Sequence, residues 1–141
     1  MTQFRFATAI NCIDGRAQTP ALDWIKLHCN VHYVDLITEP GADKVLTQGP
    51  SDTIASIKKK AQFSFQVRQS GLIAVVAHHD CLAHPVSKQE HWEDIEQSVL
   101  VVNSWGWSAR ILGLWVNEWG SIDLVCDTKS RDVSFPLQAK G

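Results

Sequence analysis

Six consecutive apolar residues, Leu72-Ile73-Ala74-Val75-Val76-Ala77, run straight into His78-His79-Asp80-Cys81, and this stretch limits the possible folds more than any other. A strand that alternates apolar and polar side chains can leave one face in water. One that is apolar throughout must be covered on both faces, which is the mark of a parallel sheet packed between helices. The flanking pattern agrees. Residues 4–10 and 31–37 read as strands, the second ended by Glu39-Pro40-Gly41. Residues 20–29 between them read as a helix, with Thr19 as N-cap and Pro20 at the first helical position. Residues 41–50 read as a loop. From Ser51 to Arg68, Ile54, Ile57, Ala61 and Phe65 recur at helical spacing, with Ser51 or Asp52 as cap and Gly71 as the break. Pro85 opens a helix to about Asn103 with Trp92, Ile95, Val99 and Val102 on one face. Residues 108–116 form a fourth strand, and a turn at Trp119-Gly120 returns the chain as a short fifth strand, 122–126.

Strand–helix alternation builds βαβ units with right-handed crossovers. The expected fold is therefore α/β: three layers, a mostly parallel sheet of order 2-1-3-4, and a short antiparallel strand 5 at the edge. The chain's 141 residues suit one domain, 1–141. A net charge of −2 leaves no nucleic-acid footprint, and Lys58-Lys59-Lys60 reads as a solvated helix face. No window approaches the ~18–20 apolar residues of a membrane span. The amino terminus has no apolar leader with a cleavage site. These features point to a cytoplasmic protein. In a reducing compartment its four dispersed cysteines, Cys12, Cys29, Cys81 and Cys126, are ligands or buried apolar groups rather than bridges.

Chemistry concentrates at two strand ends. Cys12-Ile13-Asp14-Gly15-Arg16 follows strand 1 and His78-His79-Asp80-Cys81 follows strand 3. In open α/β sheets, sites form beyond the carboxyl ends of the strands where the strand order reverses. With order 2-1-3-4, strands 1 and 3 are neighbours at that point, so Cys12, His78 and Cys81 converge. Two thiolates and an imidazole are a zinc ligand set with one open position, the arrangement of a catalytic rather than a structural zinc. Asp14, two residues from Cys12 on the same side of an extended chain, is placed to orient a metal-bound water. Arg16 can hold Asp14 in a charge-assisted pair; released, Asp14 could fill the open position. A phosphatase-like loop needs a wider Cys–Arg separation and no Asp inside it, and no glycine-rich nucleotide motif occurs.

These two motifs, with the order of elements around them, resemble the β-class carbonic anhydrases. The resemblance implies Cys12, His78 and Cys81 as ligands of one Zn²⁺ per chain and Asp14–Arg16 as the catalytic dyad. It also implies reversible hydration of carbon dioxide to bicarbonate by zinc-bound hydroxide. The pattern departs from the family in three places. Leu82 stands where a Gly follows the second Cys, and Thr38-Glu39-Pro40-Gly41 replaces Arg-Asn-Ala-Gly, matching only at Gly41. No helical arm precedes the first strand. Two alternatives remain open: a non-catalytic zinc domain with Asp14 as fourth ligand, and a hydrolase of a CO₂-like molecule such as carbonyl sulfide. A metal-free interaction module is the third class. His79 and Asp80 are candidates for a supporting or relay role. His84 and His91 are candidate proton shuttles, weighed against ordinary surface histidines. His28 and His32 read as structural, and Cys29 and Cys126 as core. Six Trp residues, four of them at 105, 107, 115 and 119, suit core packing or a subunit interface, and the chain is expected to be a homodimer.

Overall fold

A computed structural model describes residues 4–129; the two ends of the 1–141 domain reading lie outside the described residues. Five strands form one sheet of order β2-β1-β3-β4-β5: β1 (Phe6–Cys12), β2 (Tyr33–Glu39), β3 (Leu72–His78), β4 (Arg110–Val116) and β5 (Ile122–Asp127). All neighbours pair in parallel except β4 and β5. This is the expected topology, with its antiparallel edge strand.

The crossovers decide which face each helix covers. The step from β1 to β2 runs one way along the sheet, and the steps from β2 to β3 and from β3 to β4 run the other. Right-handed connections then put the first helix on one face and the later ones on the opposite face. Accordingly α1 (Gln18–Cys29) packs Ala21 and Ile25 against Ala7, Ala9, Ala74 and Leu112. On the other face, α2 (Ala42–Gln48), α3 (Ser51–Val67) and α4 (Lys88–Asn103) surround Ile10, Ile73 and Val75. Every residue of β3 is buried, as its composition requires. Gly113 of β4 is small for a packing reason: a Cβ there would meet Ile95 Cγ2 at 2.5 Å and Cys126 Sγ at 2.8 Å.

Several local expectations are corrected. Thr19 does not cap α1. The chain first makes a 3₁₀ turn, Gly15–Ala17, whose cap is Asp14 accepting the Arg16 N–H, and α1 continues from it at Gln18. Residues 41–50 are not simply a loop but contain α2, closed in by Gly41 at its amino end and Gly49 at its carboxyl end. Pro50, rather than Ser51 or Asp52, occupies the N-cap of α3. Helix α4 starts at Lys88, three residues after Pro85, because Ser87 and Glu90 form a reciprocal capping box. Strands β1 and β2 each lie two residues later than expected. Of the clustered tryptophans, Trp115 is buried and Trp105 and Trp107 pack at the edge of the larger core, while Trp119 is exposed.

Candidate metal centre

The β1–β3 ladder stops at Ile10–Val75, yet β1 stays paired to β2 as far as Glu39 and β3 to β4 as far as Val116. The two central strands part at their carboxyl ends, and Cys12, His78 and Cys81 fill the gap. One ligand atom from each lies within 4.8 Å of the others, and all three residues are buried. The sulfurs of Cys12 and Cys81 are 4.0 Å apart; two thiolates on a tetrahedral zinc, at about 2.3 Å each, would lie about 3.8 Å apart.

The imidazole is oriented for a metal. His78 Nδ1 lies 2.8 Å from the carbonyl oxygen of His79, a contact that requires Nδ1 to carry the proton. In the neutral ring Nε2 then carries the lone pair, and it is buried without a hydrogen-bond partner. An unpartnered buried nitrogen beside two thiols is the state of a ligand, with the carbonyl fixing its tautomer from behind. The donor set and its spacing fit zinc.

The thiols are unequal. Burial works against the Cys12 thiolate, but the His78 imidazole and backbone donors at Asp14 and Gly41 outweigh it and bring the thiol down to about 7. Burial and the neighbouring Cys12 charge push Cys81 up to about 11. Burial also opposes the His78 cation, but Cys12 and the His79 carbonyl leave its pKa raised. The second thiol thus gives up its proton only when a cation takes its place.

Gly41 explains the one matching residue of its loop. Its N–H points to Cys12 Sγ at 3.5 Å, its φ is +69°, and a Cβ would touch Ala83 and His84 at 3.4 Å. A side chain is disfavoured there twice over. Asn11, a polar residue inside an apolar strand, was not singled out from sequence. It is buried, donates to the Ala17 carbonyl and accepts the Cys12 N–H at 2.7 Å, so it fixes the backbone that carries the first ligand.

Asp14 stands apart from the three donors, held by Arg16. The guanidinium Nη2 meets Asp14 Oδ2 at 2.6 Å and Nε meets Oδ1 at 3.0 Å, while the Arg16 backbone N–H adds a bond to Oδ1 at 2.9 Å. These bonds bring the Asp14 carboxyl down to about 2. Arg16 also reaches across to the other ligand loop, donating to the Asp80 carbonyl at 3.1 Å and pairing with its carboxylate at 3.3 Å. A cavity of about 210 Å³ opens beside His78, lined by Arg16, His79, Val116, Asn117 and Glu118.

The remaining candidates divide. His84 and His91 are not on the surface: both are buried, at 5% and 1% exposure, in a second cluster described below. His28, with its ring stacked on Trp24, and His32, accepting the Arg5 N–H, make local structural contacts. Cys126 is in the core and Cys29 packs at the edge of one. All four cysteines are free thiols. No helix among the described residues is long and apolar enough to cross a membrane.

Residues 2–126 match the model of a family described as "Putative carbonic anhydrase". A search of curated proteins gave no match. Among solved structures, the chain is similar to one of two tetrameric β-carbonic anhydrases from Sordaria macrospora (TM-score 0.59, 12% identity, covering 90% of this chain and 84% of the other). It is also similar to a β-carbonic anhydrase from Trichomonas vaginalis (0.54, 16%, 90% and 88%) and to a carbonic anhydrase from Glaciozyma antarctica (0.53, 17%, 84% and 81%). At these identities the likeness shows the shared fold.

Proposed function

From the premise that the chain belongs to this carbonic anhydrase family, we propose that it is a zinc lyase that hydrates carbon dioxide reversibly to bicarbonate, with Cys12, His78 and Cys81 as the protein ligands of one Zn²⁺. The observation that carries this reading is the buried, unpartnered His78 Nε2 beside two thiols 4.0 Å apart. When bound, zinc supplies a water acidified toward neutral pH as the nucleophile.

The protein's own residues do the rest. Asp14, ionised at any pH above about 2, is a hydrogen-bond acceptor and not an acid; it orients the attacking oxygen's proton. Arg16 is a positioning residue. It keeps the Asp14 carboxylate turned from the three donors and ties the Cys12 loop to the Cys81 loop through Asp80. That fork favours an open metal position over a shut one with Asp14 as fourth ligand. Carbonyl sulfide, isoelectronic in its valence shell with carbon dioxide, is the near variant of substrate.

The catalytic unit is one domain spanning residues 1–141, and it works as a homodimer. Four free thiols support a cytoplasmic setting. The decisive experiment is zinc analysis combined with a stopped-flow carbon dioxide hydration assay from pH 7 to 9. We expect zinc retained by the cysteine centre, together with hydration. Zinc held by Cys12 and Cys81 without hydration would overturn the enzyme reading and favour the non-catalytic one; turnover of carbonyl sulfide alone would shift the substrate.

A further inference from the structure

A second buried cluster lies on the helical face that carries α2 and α4. Asp43, in the first turn of α2, is 1% exposed; His91, in the first turn of α4, is 1% exposed; His84, in the loop between β3 and α4, is 5% exposed. His91 Nδ1 lies 2.7 Å from Asp43 Oδ2. The two imidazoles meet nearly at right angles, at 84°, with centroids 4.9 Å apart. A nitrogen of each ring and a carboxylate oxygen of Asp43 all fall within 4.8 Å of one another.

A carboxylate this deeply buried is costly unless it faces a cation or a full set of donors. We propose that Asp43, His84 and His91 form a second divalent-metal site, independent of the cysteine centre. Its nitrogen and oxygen donors, without sulfur, suit a first-row divalent ion such as Zn²⁺ or Co²⁺. His84 is already braced for this: its Nε2 is held by the Asp94 carboxylate at 2.6 Å, which leaves Nδ1 as the ligand nitrogen. A carboxylate behind a ligating imidazole is the usual supporting arrangement in metal sites. The Asp43–His91 hydrogen bond is the contact the ion would replace. Two ligand atoms at about 2.0–2.1 Å from one tetrahedral ion sit about 3.3 Å apart, so the pair, now at 2.7 Å, needs to open by roughly 0.6 Å.

The surroundings fix these groups in place. The Asp43 carbonyl accepts hydrogen bonds from Thr47 and Ser98 hydroxyls, the latter crossing from α4. The Ser87–Glu90 capping box sets the start of α4 and with it the inward phase of His91. An ion here would join three segments that sequence leaves separate: α2, the loop carrying Cys81, and α4.

The test uses the full-length chain, freed of metal and titrated with Co²⁺. We expect two ions per chain and a thiolate-to-cobalt charge-transfer band. Cys12→Ser with Cys81→Ser should leave one ion and no band. His91→Gln, or Asp43→Asn, should leave one ion and the full band, with circular dichroism reporting the fold. A wild-type chain that takes one ion, unchanged by His91→Gln, overturns the second site and leaves the cysteine reading standing. A single ion lost with His91→Gln, without any band, sinks the cysteine reading and keeps this one. If neither variant folds, the stoichiometry and band of the wild-type chain decide alone.

Discussion

Near its start, β1 contributes Thr8 to a buried network of hydroxyls; at its end it contributes Cys12 to the cluster with His78 and Cys81. In the first, Thr8 Oγ1 meets Ser64 Oγ at 2.6 Å and Ser70 Oγ at 2.9 Å. Ser64 then donates to Asp35 and Ser70 to the Leu72 carbonyl. Each hydroxyl has its partners within the chain, and the network ties β1 to β2, to α3 and to the turn before β3. In the second, a ring nitrogen is left bare and a thiol keeps a raised pKa. Buried polar groups are normally satisfied, and those left over call for an explanation. One strand thus carries a network closed for stability and another left open for a ligand.

If that distinction holds, substitutions at the two ends of β1 separate cleanly. The largest effect is expected at Cys12. A zinc site binds with about 10–16 kcal/mol, so losing one ligand should weaken zinc affinity by roughly 100-fold or more, read by competition with a chelator. Metal-free Cys12→Ser should melt close to the metal-free wild type; a large fall in Tm without metal would mean that the thiol is structural. Zinc affinity should also climb with pH. Below Cys12's pKa of about 7 both thiol protons must leave on binding, and above it that of Cys81, at about 11; the His78 proton, held more firmly than usual, must leave as well wherever the ring is still charged. The unliganded form binds more protons, so raising pH favours the zinc form, steeply below about 7 and more gently above. Next in size is Asp14→Asn, which keeps the acceptor for the Arg16 backbone N–H and so the turn. We expect retained zinc and hydration slowed by roughly 100-fold, within the usual range for a proton-handling group. An unchanged rate would remove Asp14 from the mechanism.

What could be read in advance follows the same division. The convergence of Cys12, His78 and Cys81 was legible because they sit at the ends of strands whose burial and order the apolar runs dictate; placing the ends brought the three side chains together. Helix α2 was not legible: seven residues between Gly41 and Gly49 offer too little periodicity against such strong turn signals. Asp43 was hidden with it, since nothing local marks an Asp for burial when its partner lies 48 residues on. His84 and His91 looked like surface residues for the same reason. The hydroxyl network went unread as well, because Thr8, Ser64 and Ser70 are ordinary in composition and become a unit only through the fold. Asp14 also caps the 3₁₀ turn, and that capping displaced Thr19 from the start of α1.

At the closed end, Thr8→Val is the isosteric probe. It removes the hydroxyl that joins Ser64 to Ser70 but leaves each its other partner, Asp35 or the Leu72 carbonyl. Loss should be about 1–2 kcal/mol in denaturant unfolding, with zinc content and hydration unchanged. A variant that lost metal would show that the two ends of β1 are coupled and that the contrast between them is false.

The smallest effect should come at the rim of that network. Arg68 pairs with Asp35 at 3.5 Å and lies over the Phe6 ring at 4.6 Å, but its side chain is 45% exposed. Ion pairs in that setting contribute about 0–1 kcal/mol and weaken with salt, and an exposed cation over an aromatic ring adds about 0.5–1 kcal/mol. Both contacts draw on one exposed guanidinium and overlap rather than add, so Arg68→Gln should cost about 1 kcal/mol, with the difference shrinking as salt is raised. Asp35 keeps its bond from Ser64 in the variant, so the buried part of the network survives. A cost as large as that of Thr8→Val, insensitive to salt, would mean that the guanidinium closes the network from outside, and that its buried hydroxyls are not self-sufficient.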